Sequence, residues 1–201
     1  MITLDGAAVR VDDAGLAGLL GDDLGAEDRD TLARAALLPS LDTLRDPLVR
    51  VEVRVAGAVV LEHRFAVDRE RTVAVLAVRP GLHQLMELPQ AHLAAALART
   101  TRTGPRRGTA AERRPAPAGA TSRLLSADDD VRHEALREVG ATSAWRLRVH
   151  WAGEHRDLVV ADAADGLLVV DEDDALLPVS ATSLYRVFTT ALPPEALEPA
   201  G

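Results

Sequence analysis

Two stretches, "VEVRVAG" at residues 51–57 and "LRVHWAG" at residues 147–153, carry the same pattern 96 positions apart. In both, apolar residues alternate with charged or polar residues, and a glycine follows. Alternation with a period of two is typical of a β-strand with one buried face, and the glycine permits a tight turn into a returning strand. Each stretch therefore predicts the first strand of an antiparallel hairpin.

The first half of the chain is predicted to contain a helix, three strands and a second helix. Acidic residues begin the pattern of the first helix and Pro39 ends it, as the helix dipole and the proline ring favour. The first strand is followed by two further β-rich runs and by Pro80-Gly81. The predicted elements are a helix over 26–38, strands over 48–56, 59–67 and 71–78, and a helix over 90–98.

The second half repeats this order. Ser126 and Asp129 have the spacing of a capping box, and Gly140 stands where a helix C-terminal cap is expected. The helix between them is predicted to turn one apolar face to the core, formed by Val131, Ala135, Leu136 and Val139. Strands are predicted over 145–151, 156–163 and 166–173, and a closing amphipathic helix over 180–192.

Residues 99–123 contain seven arginines and one acidic residue, together with many Pro, Gly and Thr. Such a composition buries too little apolar surface to offset its ordering entropy, so we predict a flexible basic linker. It separates a first pseudo-repeat (1–98) from a second (124–201) within one domain, 1–201. The predicted fold class is α+β, an antiparallel sheet of two pseudo-symmetric helix–three-strand meander–helix halves with helices packed on the sheet.

Composition narrows the function. The chain has no cysteine, which excludes disulfides and thiolate metal sites, and its net charge of −8 disfavours nucleic acid as a partner. The N-terminus has acidic residues where a signal peptide needs a basic start, and no run approaches the ~20 apolar residues of a membrane span. We expect a soluble cytoplasmic protein, a monomer or weak homodimer, without nucleic acid or membrane partners.

Two kinds of residue cluster in the sequence could hold a metal ion. His150, Glu154 and His155 fit a solvated hairpin tip better than a metal site, because no third ligand of suitable spacing follows. The acidic runs 162–165 and 171–174 fit strand turns better than a calcium loop. No phosphate loop or nucleophile elbow is present. We therefore predict no enzyme, no catalytic residue, no metal and no cofactor.

Trp145 and Trp151 are predicted to share one face of their strand, where they would be core residues or an anchor for a partner.

The order of elements resembles a known family. Residues 37–57, "LLPSLDTLRDPLVRVEVRVAG", and residues 144–193, "AWRLRVHWAGEHRDLVVADAADGLLVVDEDDALLPVSATSLYRVFTTALP", are similar to the EspG proteins, the cytosolic chaperones of actinobacterial type VII (ESX) secretion. The chain is shorter than typical members and lacks a tryptophan expected early in the first half. It would be a short actinobacterial relative, whose client could differ from theirs.

The resemblance implies a chaperone or adaptor that keeps a small helical secretion substrate soluble for export. That partner would be a PE/PPE-like or WXG100-like protein. The residues predicted to contact it are Arg69, Glu70, Arg71, Leu184, Tyr185 and Phe188, although Leu184 and Phe188 could equally belong to the core. The alternative is a non-catalytic regulatory or scaffold domain that binds an acidic partner through its arginine linker.

Overall fold

A computed structural model describes residues 1–5, 8–21, 24–104, 111–171 and 175–194. The strands are β1 (Ile2–Asp5), β2 (Ala8–Asp12), β3 (Val49–Ala56), β4 (Val60–Val67), β5 (Thr72–Arg79), β6 (Leu82–Leu88), β7 (Arg114–Pro115), β8 (Ala141–Trp151), β9 (Glu154–Ala163), β10 (Gly166–Val170) and β11 (Ala175–Val179). The helices are α1 (Asp13–Leu20), α2 (Ala26–Arg34), α3 (Ser40–Arg45), α4 (Leu93–Thr100), α5 (Ala120–Leu124), α6 (Asp129–Glu138) and α7 (Ala181–Thr189), and a 3-10 turn, Gln90–His92, leads into α4.

All eleven strands form one antiparallel sheet, in the order β1-β2-β6-β5-β4-β3-β8-β9-β10-β11-β7. The two stretches that predicted hairpins are the central neighbours β3 and β8. From this pair the chain proceeds outward on each side through consecutive strands, and a helix follows the fourth strand, α4 on one side and α7 on the other. A large antiparallel sheet combined with helices agrees with the predicted α+β class.

The register of the central pair is unchanged when the two halves are exchanged. Arg50 pairs with His150, and Arg54 pairs with Arg146. A shift of 96 positions, forward for Arg50 and back for His150, converts the first pair into the second. The point about which the pairing is balanced is Glu52 opposite Arg148.

One face of the central strands is apolar and is covered by α4 and α7. It receives the alternating valines of β3 and the matching residues of β8, namely Val49, Val51, Val53, Trp145, Leu147 and Val149, all buried. Leu93 and Leu97 of α4, with Leu184 and Phe188 of α7, close this cluster from above. The period-two pattern of β3 and β8 thus forms the floor of the main core.

The opposite face carries two separate apolar clusters. Helices α1, α2 and α3 cover the first, around Val73, Val75 and Leu85. Helices α5 and α6 cover the second, around Val159, Ala161 and Leu168. Between the two clusters, the centre of this face is polar.

The meanders contain four strands each, so the predicted count of three is wrong. In the first half, β6 (Leu82–Leu88) pairs with β5 beyond the Pro80-Gly81 turn, and in the second half β11 (Ala175–Val179) pairs with β10. The N-terminal hairpin of β1 and β2, which extends the sheet beyond β6, was not predicted either. The predicted third strand of the second half ends at Val170, and residues 172–174 lie outside the described residues.

Parts of the segment predicted as a flexible linker, 99–123, have regular structure. Residues 93–100 form α4, Arg114–Pro115 pairs with β11, and Ala120–Leu124 forms α5. Ala120, near the end of the predicted linker, and Leu124, the first residue after it, are buried in the cluster under α6. Residues 105–110 of the prediction lie outside the described residues.

Three of the four residues predicted to form the apolar face of α6 are buried, namely Ala135, Leu136 and Val139. Val131 is instead 37% exposed, and its neighbour Arg132 is fully buried. The side chain of Asp128, rather than that of Ser126, caps the helix by accepting from the backbone N–H groups of residues 130 and 131. Gly140 follows in the left-handed conformation, with φ of 66°, as the predicted C-terminal cap requires.

Candidate partner-binding surface

The predicted contact residues of α7 divide into core and surface. Leu184 and Phe188 are 1% and 2% exposed, and the ring of Phe188 lies 5.7 Å from that of Trp145. Both side chains therefore stabilise the main core and are not available to a partner in this structure. Tyr185 is 45% exposed and is the residue of the three that a partner can reach.

Arg69, Glu70 and Arg71 lie in the turn between β4 and β5, on a different element from α7. Asp68 organises this turn by accepting hydrogen bonds from the backbone N–H of Glu70, at 2.8 Å, and of Arg71, at 2.9 Å. Burial raises the pKa of Asp68. The hydrogen bond from Thr43 and these two backbone bonds lower it by more, so the pKa is below its ordinary value. The turn is charged, and the carboxylate of Asp68 holds its backbone.

A charged surface that the sequence analysis did not identify lies on the polar centre of the sheet. We call it the central strip. It occupies β3, β4, β8 and β9 between the two apolar clusters of that face, opposite the face covered by α4 and α7. Its members are Arg50, Glu52, Arg54, Glu62, Arg64, Arg146, Arg148, His150, His155 and Asp157.

Side chains of the central strip form rows across neighbouring strands, because directly paired residues share a face. One row runs from Asp157 through Arg148 and Glu52 to Arg64. The next contains Arg146, Arg54 and Glu62, and a third contains His155, His150 and Arg50. The strip is thus a regular array of charges.

Within the central strip, Asp157 accepts hydrogen bonds from two arginines, whereas Glu62 accepts from one. Arg146 Nε donates to Asp157 Oδ1 at 2.7 Å, and Arg148 Nε donates to Oδ2 of the same carboxylate at 3.3 Å. Burial raises the pKa of Asp157, but the hydrogen bonds and charges of the two arginines outweigh it and lower the pKa below its ordinary value. Arg54 Nη1 donates to Glu62 Oε1 at 3.0 Å.

Two arginines of the strip have no such partner. Within the described part of the chain, the side chains of Arg50 and Arg64 make no hydrogen bond and no ion pair. The Nε of Arg54 is buried and has no hydrogen-bond acceptor. Glu52, which lies beside Arg64 in its row, is 3.8 Å from His150 Nε2.

A cavity of about 230 Å³ opens on the central strip. Its lining residues are Glu52, Val53, Arg54, Glu62, His63, Arg64, Arg146 and Arg148. Four of these eight residues are arginines. The space can receive a polar side chain or a short backbone segment from outside.

His150 and His155 lie across the β8–β9 hairpin with ring centroids 6.2 Å apart. In the described residues, no group of three or more His, Asp or Glu side chains is placed to hold a metal ion. Beside this hairpin, the guanidinium of Arg156 lies 5.0 Å above the ring of Trp151, on the opposite face of the sheet. Trp145 is 1% exposed, so the two tryptophans have different environments, one in the core and one at its margin.

The chain was compared with known proteins. No family model and no curated protein sequence match it. Among solved structures, it is similar to the type VII secretion system chaperone EspG5 of Mycobacterium tuberculosis, determined in complex with the PE25–PPE41 dimer. The match covers 90% of this chain and 86% of that chain, with a TM-score of 0.51 and 12% sequence identity.

This likeness confirms the EspG-like fold that was predicted from the sequence. At 12% identity it shows the fold alone, and it does not establish membership of the family. Within the described residues, no helix combines the length and the apolar character needed to cross a bilayer.

Proposed function

We propose that this protein is a cytosolic chaperone or adaptor for a small helical substrate of type VII secretion, PE/PPE-like or WXG100-like. The observation that carries the proposal is the similarity of fold, over 90% of the chain, to a secretion chaperone solved with a PE–PPE dimer. The protein would act by binding, without catalysis, metal or cofactor. It would be a monomer or weak homodimer that does not bind nucleic acid or membranes.

The central strip is the surface best suited to the client in this proposal. It is open, it lies between two helix-covered clusters, and its cavity can receive a projecting side chain. An interface of standard size would cover roughly 800 Å² on each partner. Tyr185 and the turn with Arg69, Glu70 and Arg71 are further candidate contacts.

The internal repeat is part of the same proposal. Two pseudo-symmetric halves that share one sheet would present a broad, continuous platform rather than two small ones. The same strand order on both sides of β3 and β8, and a register that survives exchange of the halves, support this interpretation.

Co-expression with candidate clients from the same genome tests the function. The full chain should co-purify with a PE/PPE-like pair or a WXG100-like protein and raise its soluble fraction, while an unrelated helical protein should do neither. Light scattering after gel filtration would give the mass of the free chain and of the complex. Failure of both client classes to co-purify or to gain solubility would overturn the proposal.

The alternative, a scaffold that binds an acidic partner through the arginine segment, is less favoured by the contacts. Arg114 donates to Asp165 Oδ2 at 2.9 Å and to the carbonyl oxygen of Val139 at 2.8 Å, and Arg123 pairs with Glu138. These arginines are engaged within the protein. Replacing Arg106, Arg107 and Arg113 with serine separates the two functions, because only the scaffold should lose its partner.

A further inference from the structure

The central strip has a charge opposite to that of the whole protein. It holds five arginines and three carboxylates, whereas the chain as a whole carries a net charge of −8. An acidic protein that concentrates uncompensated arginines on one open face attracts negative groups to that face and repels them elsewhere. The positive charge of this face therefore indicates that its partner is negatively charged.

The unsatisfied groups surround one place. Arg64 and Arg54 line the cavity, Arg64 has no ion pair, and the buried Nε of Arg54 lacks an acceptor. Arg148 also lines it and shares Asp157 with Arg146, so a single carboxylate serves two guanidinium groups. An incoming anion would supply the missing acceptors, and charge-assisted bonds of this kind are the stronger class.

The spacing favours carboxylates on a polypeptide over phosphates. Arg146 and Arg148 alternate along one strand, which sets their Cα atoms roughly 7 Å apart, and Glu52 and Glu62 stand among the arginines. These two acids would repel a nucleic acid, whose phosphates follow one another without interruption. Separated Asp and Glu side chains can each meet an arginine and avoid the acids. The strip also contains no Phe, Tyr or Trp side chain on which a base could stack.

We propose that the central strip binds an acidic segment of the client, with carboxylates seated on Arg50, Arg64 and the cavity arginines. This inference rests on the proposed function, and it adds the chemical class of the recognised segment. Recognition through this face would select clients by their charge. It would also make complex formation sensitive to salt.

A labelled short glutamate peptide tests the inference directly on the full chain. It should bind the wild type, and the double variant Arg50→Glu/Arg64→Glu should weaken binding about tenfold or more. The matched control, Arg99→Glu/Arg186→Glu, changes the same charge on α4 and α7, which cover the opposite face, and should bind nearly as the wild type does. Equal losses in the two double variants, or no binding by the wild type, would overturn the inference.

A variant expected to gain affinity removes the ambiguity of misfolding. Glu62→Gln frees Arg54 from its ion pair and removes a repelling charge, so it should tighten peptide binding by roughly two- to fivefold. A short single-stranded DNA of equal charge should bind more weakly than the peptide. Tighter binding of the DNA at the strip, or no gain in Glu62→Gln, would contradict an acidic polypeptide as the ligand.

The client experiment separates this inference from the function on which it rests. A client that co-purifies equally with the wild type and with Arg50→Glu/Arg64→Glu would overturn the inference and leave the chaperone function in place. Loss of the client from that variant, with retention by the opposite-face control, would support both.

Discussion

Arg132 of α6 donates through Nε to the carbonyl oxygen of Gly57, 2.9 Å away, and so connects the second half of the chain to the β3–β4 turn of the first. Its side chain is fully buried, and its other nitrogens donate to the carbonyl oxygens of Ser126 and Ala58 and to Asp129. Through these hydrogen bonds, the buried guanidinium of Arg132 connects the two halves of the chain.

Arg132→Met should therefore lower the free energy of unfolding by about 2–4 kcal/mol, because several buried carbonyl groups lose their donor at once. Urea denaturation followed by circular dichroism would measure it. The control is Arg137→Met on the exposed side of the same helix, which should change stability by less than about 0.5 kcal/mol. Equal effects of the two substitutions would show that Arg132 does not have this role.

Leu124, which directly follows the arginine-rich segment in α5, tests whether the end of that segment is ordered. This side chain is fully buried under α6, so Leu124→Ala should cost about 2–5 kcal/mol of stability. Arg113→Ala, an exposed position in the same segment, should have little effect. A loss below about 0.5 kcal/mol for Leu124→Ala would mean that the segment behaves as the flexible linker predicted from composition.

The two roles of α7 can be separated by paired substitutions. Phe188→Ala removes a ring packed against Trp145 and should destabilise the protein by about 3–5 kcal/mol. Tyr185→Ala, one turn earlier on the exposed side, should leave the unfolding midpoint almost unchanged. If Tyr185 contacts the client, only a co-purification or affinity measurement will register its loss, and an unaffected complex would remove it from the contact residues.

His63 makes stability depend on pH. Burial, with a smaller contribution from the charge of His83, lowers the pKa of His63 to about 4, against an ordinary value of 6.5. Between these pH values the unfolded chain binds a proton at His63 that the folded protein does not. The contribution of neutral His63 to stability is therefore fully present above pH 6.5 and is lost as the pH falls towards 4. At pH 5 the loss is roughly 2 kcal/mol.

His63→Leu should remove this dependence. Denaturation at pH 7.5 and at pH 5 should show a smaller difference for the variant than for the wild type. The carboxylates with lowered pKa, Asp68 and Asp157, titrate below this window in the folded protein and do not explain a change within it. An identical pH dependence in both proteins would contradict the assignment to His63.

The strands predicted most clearly from the sequence, β3 and β8, are those with a clean period of two. Val49 to Val55 and Trp145 to Val149 alternate because one face lies on the main core and the other is open. The fourth strands were missed for local reasons. Residues 82–88 contain His83 and Gln84 directly after a turn signal, and residues 175–179 contain Pro178, which usually marks a break.

The candidate surface was harder to predict than the fold. The charges at positions 50, 52 and 54 are evident in the sequence, but they become part of one surface only when β3 pairs with β8 across 96 residues. Arg132 was missed because a charged residue is expected to face water, and its buried acceptors come from distant or backbone groups. Pairing between strands that are distant in the chain, and hydrogen bonds to backbone acceptors, leave no local pattern in the sequence.

The order of the strands also determines how the sheet meets other chains. Its outermost strands are the shortest of those described, four residues in β1 and two in β7, and Pro115 at the β7 edge has no N–H to donate. The long valine-rich strands, which would most readily recruit a neighbour into an aggregate, have both sides occupied. The edges of this sheet are therefore poorly suited to pairing with a further strand, and contacts with other chains are left to its faces.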